Sequence, residues 1–241
     1  HLFSGRSHDP AIELAETLKE LMPVPTSKIF FTSSGSEAND TQVKLTWYMN
    51  NALGRPRKKK ILSHIKGYHG VTVATASMTG LPANHADWDL PLPGFLHAGC
   101  PHHYRFAQAG ESERDFSARL AADLDALIQR EDPETIAAFV TEPVLGAGGA
   151  VVPPEGYFEA IQAVTERYGI RLNMEAHPYD FVETNDRAVQ IVRGVNKPWF
   201  NYEFCCPHMF HLSQGSGDAR AMMAYAGDRL RHVHVADVYN H

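Results

Sequence analysis

Three short segments hold residues whose types and spacing suit chemistry on a small molecule. Ser34-Gly35-Ser36 opens a helical run, so free backbone N–H groups, two hydroxyls and a positive dipole end converge on one spot. That is a phosphate cradle, or simply a capped helix after a tight turn. Tyr68 and His69 lie between Gly67 and Gly70, where a flat aromatic and an imidazole can be presented beside a planar ligand; a plain turn reads the same way. Glu142 ends a strand-like run and precedes the glycine loop Gly146-Ala147-Gly148-Gly149. Further on, Glu175, Cys205, His208, His232 and His234 fall on or after predicted strands. His232 and His234 alternate with Val233 and Val235 and therefore share a face. Carboxylates and imidazoles at successive strand ends are how α/β barrels assemble a divalent-metal site.

The elements that must carry these residues alternate. A helix starts at Asp9-Pro10, repeats apolar residues at Ile12, Ala15, Leu18 and Met22, and stops at Pro23. Lys28–Thr32 reads as a strand and Glu37–Asn51 as a helix burying Val43 and Trp47. Lys58 to Lys60 read as a solvated basic loop before the strand Ile61–Ile65. Residues 81–110 show no period and read as a long excursion. Helix Asp115–Arg130, strand Ile136–Thr141 and helix Pro154–Tyr168, closed by Gly169, come next, and a strand begins at Ile170. Helix Asp186–Val195, strand Trp199–Phe204, helix Asp218–Ala226 and strand Leu230–Ala236 complete the chain. The expected fold class is α/β, a mainly parallel sheet with flanking helices.

Composition narrows the function classes. The chain has 241 residues, 44% hydrophobic and 21% charged, which suits one large or two modest folded domains and excludes a disordered chain. No apolar run approaches the ~18 residues of a membrane span. A net charge of −6 argues against a nucleic-acid partner. Cys100, Cys205 and Cys206 are too few for a disulfide framework and suggest a reducing, cytoplasmic setting. His1-Leu2-Phe3-Ser4-Gly5-Arg6 shows no export signal and no initiator Met, so the chain reads as starting elsewhere. Six of the 14 histidines follow residue 172.

In this order, Phe30-Phe31-Thr32-Ser33-Ser34-Gly35-Ser36-Glu37-Ala38-Asn39-Asp40, Gly67-Tyr68-His69-Gly70 and Glu142-Pro143-Val144 resemble the class III aminotransferases, over residues 1–172. These are pyridoxal-phosphate enzymes of the aspartate-aminotransferase fold (PLP fold type I). The likeness is nearest to the branch moving an amino group from amines or ω-amino acids to a keto acid. It implies that Ser34, Gly35 and Ser36 hold the cofactor phosphate, Tyr68 packs on the pyridine ring with His69 beside it, and Glu142 lies on the substrate side. It also implies small amine and keto-acid substrates and a homodimer. Counting from Leu172, Glu175 stands where the family has the Asp that pairs with the pyridine nitrogen. No family Schiff-base lysine motif follows. Lys197 is the one lysine after Lys66, and Gly194-Val195-Asn196-Lys197-Pro198-Trp199 reads as a helix-to-strand loop.

Residues 173–241 resemble instead the sugar phosphate isomerase/epimerase family, a TIM barrel, through Asn173–Pro178, Cys206–His211 and Arg231–Asp237. That likeness implies Glu175 and His234 as ligands of Mn²⁺ or Mg²⁺, with His208 beside the metal or substrate. The expected organisation is an aminotransferase-like fragment at 1–172 continued by a barrel-like βα fragment at 173–241, packed as one unit. Three functions follow in order of coverage: a transaminase-like chain with cofactor-phosphate affinity and little turnover, a metal-dependent sugar isomerase or epimerase, and a non-catalytic chimeric or generated chain.

Overall fold

The computed structural model describes residues 7–21, 29–170, 172–175, 185–195, 200–205 and 218–234. Helix α1 (Asp9–Leu21) buries Leu18 in the main core, while Ile12 and Leu14 stay exposed. Residues 29–32 form no strand, contrary to the expected Lys28–Thr32 element. Ile29 and Phe31 pack on the core and Phe30 is 72% exposed, so the two-residue alternation is kept without a ladder. A lone extended segment needs a paired neighbour to become a strand, and among the described residues none lies alongside it.

Helix α2 (Gly35–Ala52) begins where Ser34 Oγ accepts the Glu37 N–H at 3.2 Å, and the Glu37 carboxylate returns to the Ser33 N–H at 2.7 Å. Strand β1 (Lys60–His64) follows, then α3 (Val73–Met78), in a stretch to which the sequence pattern assigns no element, and β2 (Phe95–Ala98), inside the stretch read as an excursion. Their brevity hid them, since four to six residues show too little period. Short α4 (His103–Phe106), α5 (Glu113–Arg130), β3 (Ile136–Phe139) and α6 (Tyr157–Arg167) lead to the second half. The sequence spaces Phe116, Leu120, Leu124, Leu127 and Ile128 as one apolar stripe along α5; all but Leu127 are buried, and Leu127 is half-buried against the core.

Strands β1, β2 and β3 make a parallel sheet in the order β2-β1-β3. The remaining elements are β4 (Leu172–Glu175), α7 (Asn185–Val195), β5 (Phe200–Cys205), α8 (Ala219–Ala226) and β6 (Leu230–His234). Their strands pair in chain order, β4-β5-β6, again parallel. Alternation of strand and helix therefore holds, but the sheet is two three-stranded sheets rather than one. A single apolar cluster nonetheless runs from Leu18, Leu62 and Phe116 through Ile161 and Ile170 to Val189, Tyr202 and Met223.

The basic run is not idle. Lys58 Nζ donates to the carbonyls of Pro133 and Ile136, both at 3.3 Å, Lys59 Nζ to Trp47 O at 3.1 Å, and Lys60 Nζ to Glu131 O at 2.7 Å. Adjacent lysines thus tie the ends of α2 and α5 to the start of β1, a role that loop-like composition could not reveal.

Candidate functional site

The C-terminal ends of β1 and β3 carry the two central segments. Past β1 the chain turns through Gly67, Tyr68, His69 and Gly70; past β3 it reaches Glu142 and the glycine loop. Glu142 joins them, because Oε1 accepts the Tyr68 N–H at 2.7 Å and Oε2 accepts the Gly146 N–H at 3.0 Å. The His69 N–H donates to Thr79 Oγ1 at 2.9 Å. His69 is buried at 7% exposure, whereas Tyr68 keeps 40%. The glycine loop sits hard against the turn: a Cβ on Gly148 would lie 2.2 Å from Lys66 O.

A cavity of about 1170 Å³ opens beside these groups, and its lining includes Tyr68, His69 and Glu142 together with Arg55, Lys58 and Glu134. Asn39, Gln42 and Thr46 of α2 also line it, as do the residues of β3 and Ile170. Its size admits a phosphorylated aromatic together with a small substrate. Ser34, Gly35 and Ser36 lie outside this lining, one helical turn before Asn39, but Ser36 Oγ accepts the Val71 N–H at 3.1 Å and so fixes the cradle to the Tyr68 turn.

The donor set at the start of α2 fits a phosphate. The hydroxyls of Ser34 and Ser36 each already accept a backbone N–H, from Glu37 and Val71, so the proton of each remains to be donated. The first-turn N–H groups of Gly35 and Ser36 have no intrahelical acceptor and point the same way. The exposed Tyr68 ring provides a flat surface at the cavity mouth. Phosphate and ring ends of a pyridoxal-type cofactor therefore match residues that are present. The covalent end does not find a described partner, since Lys197 lies outside the described residues.

Under the site runs a buried polar chain that sequence reasoning missed. His64 Nε2 is hydrogen-bonded to Tyr157 OH, and His64 Nδ1 to Thr141 Oγ1 at 3.0 Å; Thr141 Oγ1 in turn donates to Glu142 O at 3.2 Å. With that last donation made, the neutral ring donates from Nδ1 and accepts the tyrosine proton at Nε2. Burial first, then the neighbouring His69 and His97, lowers the His64 pKa from 6.5 to about 3, so the ring stays neutral. Burial also pushes the Tyr157 hydroxyl well above its ordinary value. The only sequence signal was a histidine at an inward position of a strand.

On the second sheet, Glu175 is the last residue of β4 and stands beside Glu203 of β5, and Glu203 beside His232 of β6; His234 pairs with Cys205 instead. The register row is thus Glu175–Glu203–His232, with Glu203 an acidic residue that the sequence reading did not single out. His208 lies outside the described residues. Among the described residues no three His, Cys, Asp or Glu side chains stand together to hold a metal ion.

A parallel α/β sheet with a helix N-terminus, an aromatic turn and a carboxylate-led glycine loop at its strand ends defines a phosphate-cofactor class of protein. The family comparison agrees: the class-III aminotransferase model matches residues 1–174, and the chain belongs to that family. Pyridoxal phosphate is the cofactor of that family. A second family model, the xylose isomerase-like TIM barrel, matches residues 154–241. The two overlap over 154–174, which holds α6 and most of β4, the point at which the sheet divides.

Among curated relatives, the chloroplastic gamma aminobutyrate transaminase 3 of Solanum lycopersicum is 56% identical over 171 residues, 70% of this chain and 33% of the relative. The mitochondrial gamma-aminobutyrate transaminase 1 of Oryza sativa subsp. indica is 54% identical over 174 residues, 70% of this chain and 33% of the relative. The chain spans about a third of the length of these relatives. A thermostable ω-transaminase four-fold mutant from Pseudomonas jessenii superposes with TM-score 0.71 at 57% identity, covering 84% of this chain and 45% of that one. The ω-transaminase of the same organism in complex with PMP gives TM-score 0.72 at 50% identity, covering 95% and 51%. The fold is that of a fragment of the PLP fold type I transaminases.

The cytoplasmic expectation is corrected by these relatives, which are chloroplastic or mitochondrial. Sparse cysteines report a reducing environment, and such an environment is not confined to the cytosol.

Proposed function

We propose that the chain forms the phosphate-and-ring half of a transaminase site and holds a pyridoxal-type cofactor without covalent attachment. The observation that supports this most directly is the donor set at α2, where two hydroxyls and two first-turn N–H groups converge within reach of the Tyr68 turn. When bound, the cofactor supplies an electron sink at its pyridine ring. This chain's own residues do the rest. Ser34, Gly35 and Ser36 neutralise and orient the phosphate, Tyr68 covers one ring face, and buried His69 closes the space beside it. Glu142 holds the turn and the glycine loop at a set separation on the substrate side. The resemblance and the relatives' names support small amines or ω-amino acids as amino donors, with a keto acid as acceptor and a homodimer as the assembly.

Lys197 is the one lysine after Lys66, and its glycine- and proline-flanked setting supports a solvent role, so little turnover follows. Fluorescence titration tests this reading with pyridoxal phosphate and with PMP, followed by borohydride treatment. Both forms should bind with similar Kd and leave no reduced label. A label on any lysine, or no binding of either form, sinks it.

A second reading is favoured by one observation. The chain order β4-β5-β6 is that of an arc of barrel, over the span matched by the xylose isomerase-like family. On that reading residues 173–241 come from an isomerase-like parent joined near Leu172–Asn173, with Glu175 and His234 as Mn²⁺ or Mg²⁺ ligands and His208 beside the metal or substrate. Sugar isomerisation that requires added Mn²⁺ and vanishes in Glu175→Ala supports it; metal-independent behaviour of both proteins removes it.

A further inference from the structure

We propose that Asn39 is a positioning residue that sets the Tyr68–His69 turn at the height a phosphate-bound cofactor ring requires; this rests on the cofactor reading above.

At its base the turn is tied by backbone, the Gly80 N–H donating to Gly67 O at 2.8 Å, whereas from Tyr68 to Gly70 side chains hold it. Glu142 takes the Tyr68 N–H, Thr79 Oγ1 takes the His69 N–H, and the Thr79 hydroxyl donates to Gly70 O at 3.1 Å. The His69 carbonyl is taken by Asn39 Nδ2 at 2.9 Å. The amide's orientation is set from its other end, because Gln42 Nε2 donates to Asn39 Oδ1 at 3.4 Å and leaves the nitrogen facing His69.

Asn39 lies three residues after Ser36 and therefore on the same face of α2. Ser36 Oγ holds the Val71 N–H, and Asn39 holds the carbonyl of His69, two residues earlier. One rigid helix thus grips the turn at two points. The same helix end carries the phosphate donors, so the distance from phosphate cradle to ring surface is fixed by one turn of α2 and not by the mobility of a loop. Gly70 shows how close the approach is. It has φ +127, and a Cβ there would meet Thr75 Oγ1 at 2.6 Å and Ser36 Oγ at 2.7 Å.

Asn39 itself lines the cavity. Asn39→Asp keeps its shape, removes the donor and sets an anionic oxygen against the His69 carbonyl. Asn39→Gln returns a donor on a longer stem.

The test measures amide hydrogen exchange and PMP affinity by fluorescence in the full chain. Asn39→Asp should speed exchange at Tyr68, His69 and Val71 about tenfold or more, with α5 unchanged, and raise the Kd for PMP about tenfold. Asn39→Gln should recover part of both. Unchanged exchange at the turn overturns the proposal, as does equal loss of protection in α5, which would mark Asn39 as a general fold residue. Failure of the unsubstituted chain to bind PMP overturns the cofactor reading itself, before any substitution is made. Normal PMP binding that Asn39→Asp leaves intact overturns this proposal alone.

Discussion

Glu142 reaches across 74 residues of sequence to accept the Tyr68 N–H at 2.7 Å, and its second oxygen accepts the Gly146 N–H at 3.0 Å. Both oxygens of a cavity-lining carboxylate are therefore spent on backbone. Glu142 acts as a clamp between the aromatic turn and the glycine loop, and its charge is held by two N–H dipoles.

Glu142→Gln offers one acceptor oxygen where two are needed and brings an amide NH₂ toward a backbone N–H. Stability should fall by about 1–3 kcal/mol in urea denaturation. PMP affinity should fall with it, because the Tyr68 ring loses its fixed position. Equal affinity in the two proteins would mean that the clamp does not set the ring.

Acid should destabilise this protein through His64. An unfolded histidine titrates at 6.5 and the folded one at about 3, so above 6.5 neither state binds the proton and stability is full. As pH falls from 6.5 to 3 the unfolded chain takes up a proton that the folded chain refuses. Stability then drops by about 1.4 kcal/mol per unit, and the loss levels off below 3. His97, lowered chiefly by burial, adds in the same direction. Glu111 is held down to about 2, chiefly by its hydrogen bonds with Arg119, and adds acid sensitivity only below about 4.5. Urea melts at pH 7 and pH 5 therefore isolate the histidines. His64→Gln should flatten most of that difference; an unchanged slope would clear His64.

Tyr157→Phe removes the donor to His64 Nε2 and leaves a buried acceptor unsatisfied. A loss of about 1–3 kcal/mol is expected from denaturant titration at pH 7. A neutral result would show that the His64 tautomer reverses and finds another partner.

Two glycines should respond in opposite ways. A Cβ on Gly80 would stand 2.0 Å from His64 O and 2.8 Å from Ile65 Cα, so Gly80→Ala must displace the end of β1 and should cost about 2–4 kcal/mol. Gly194 in α7 has open space around its Cβ direction, so Gly194→Ala should be neutral or stabilising by up to about 1 kcal/mol. Thermal melts of the two variants, measured side by side, check the pair.

Much of the fold was legible because its signals are local. The α5 stripe Phe116, Leu120, Leu124 and Ile128 repeats at helical spacing and is buried as that spacing demands. Ser34 is a good cap followed by Glu37, and α2 begins there. Tyr68, His69 and Glu142 were legible as a set through family resemblance, and they line one cavity. Lys28–Thr32 misled because apolar alternation fixes only which side chains turn inward; pairing depends on a neighbour that local sequence does not contain. β2 was lost because four residues among prolines, glycines and histidines carry no measurable period.

Residue type and spacing by themselves determined the alternation of helix and strand, the inward faces and the donor chemistry at Ser34 to Ser36. They also determined the two family resemblances, since each of these depends on neighbours within a few residues or on motifs read in order. Tertiary structure alone decided that Glu142 closes on Tyr68 and that Asn39 grips the His69 carbonyl. It likewise decided that His64 is sealed between Tyr157 and Thr141, and that the strands divide into two sheets after β3. Each of these is a contact between segments distant in the chain, and hydrogen bonds and desolvation act over a few ångströms of space whatever the separation in sequence.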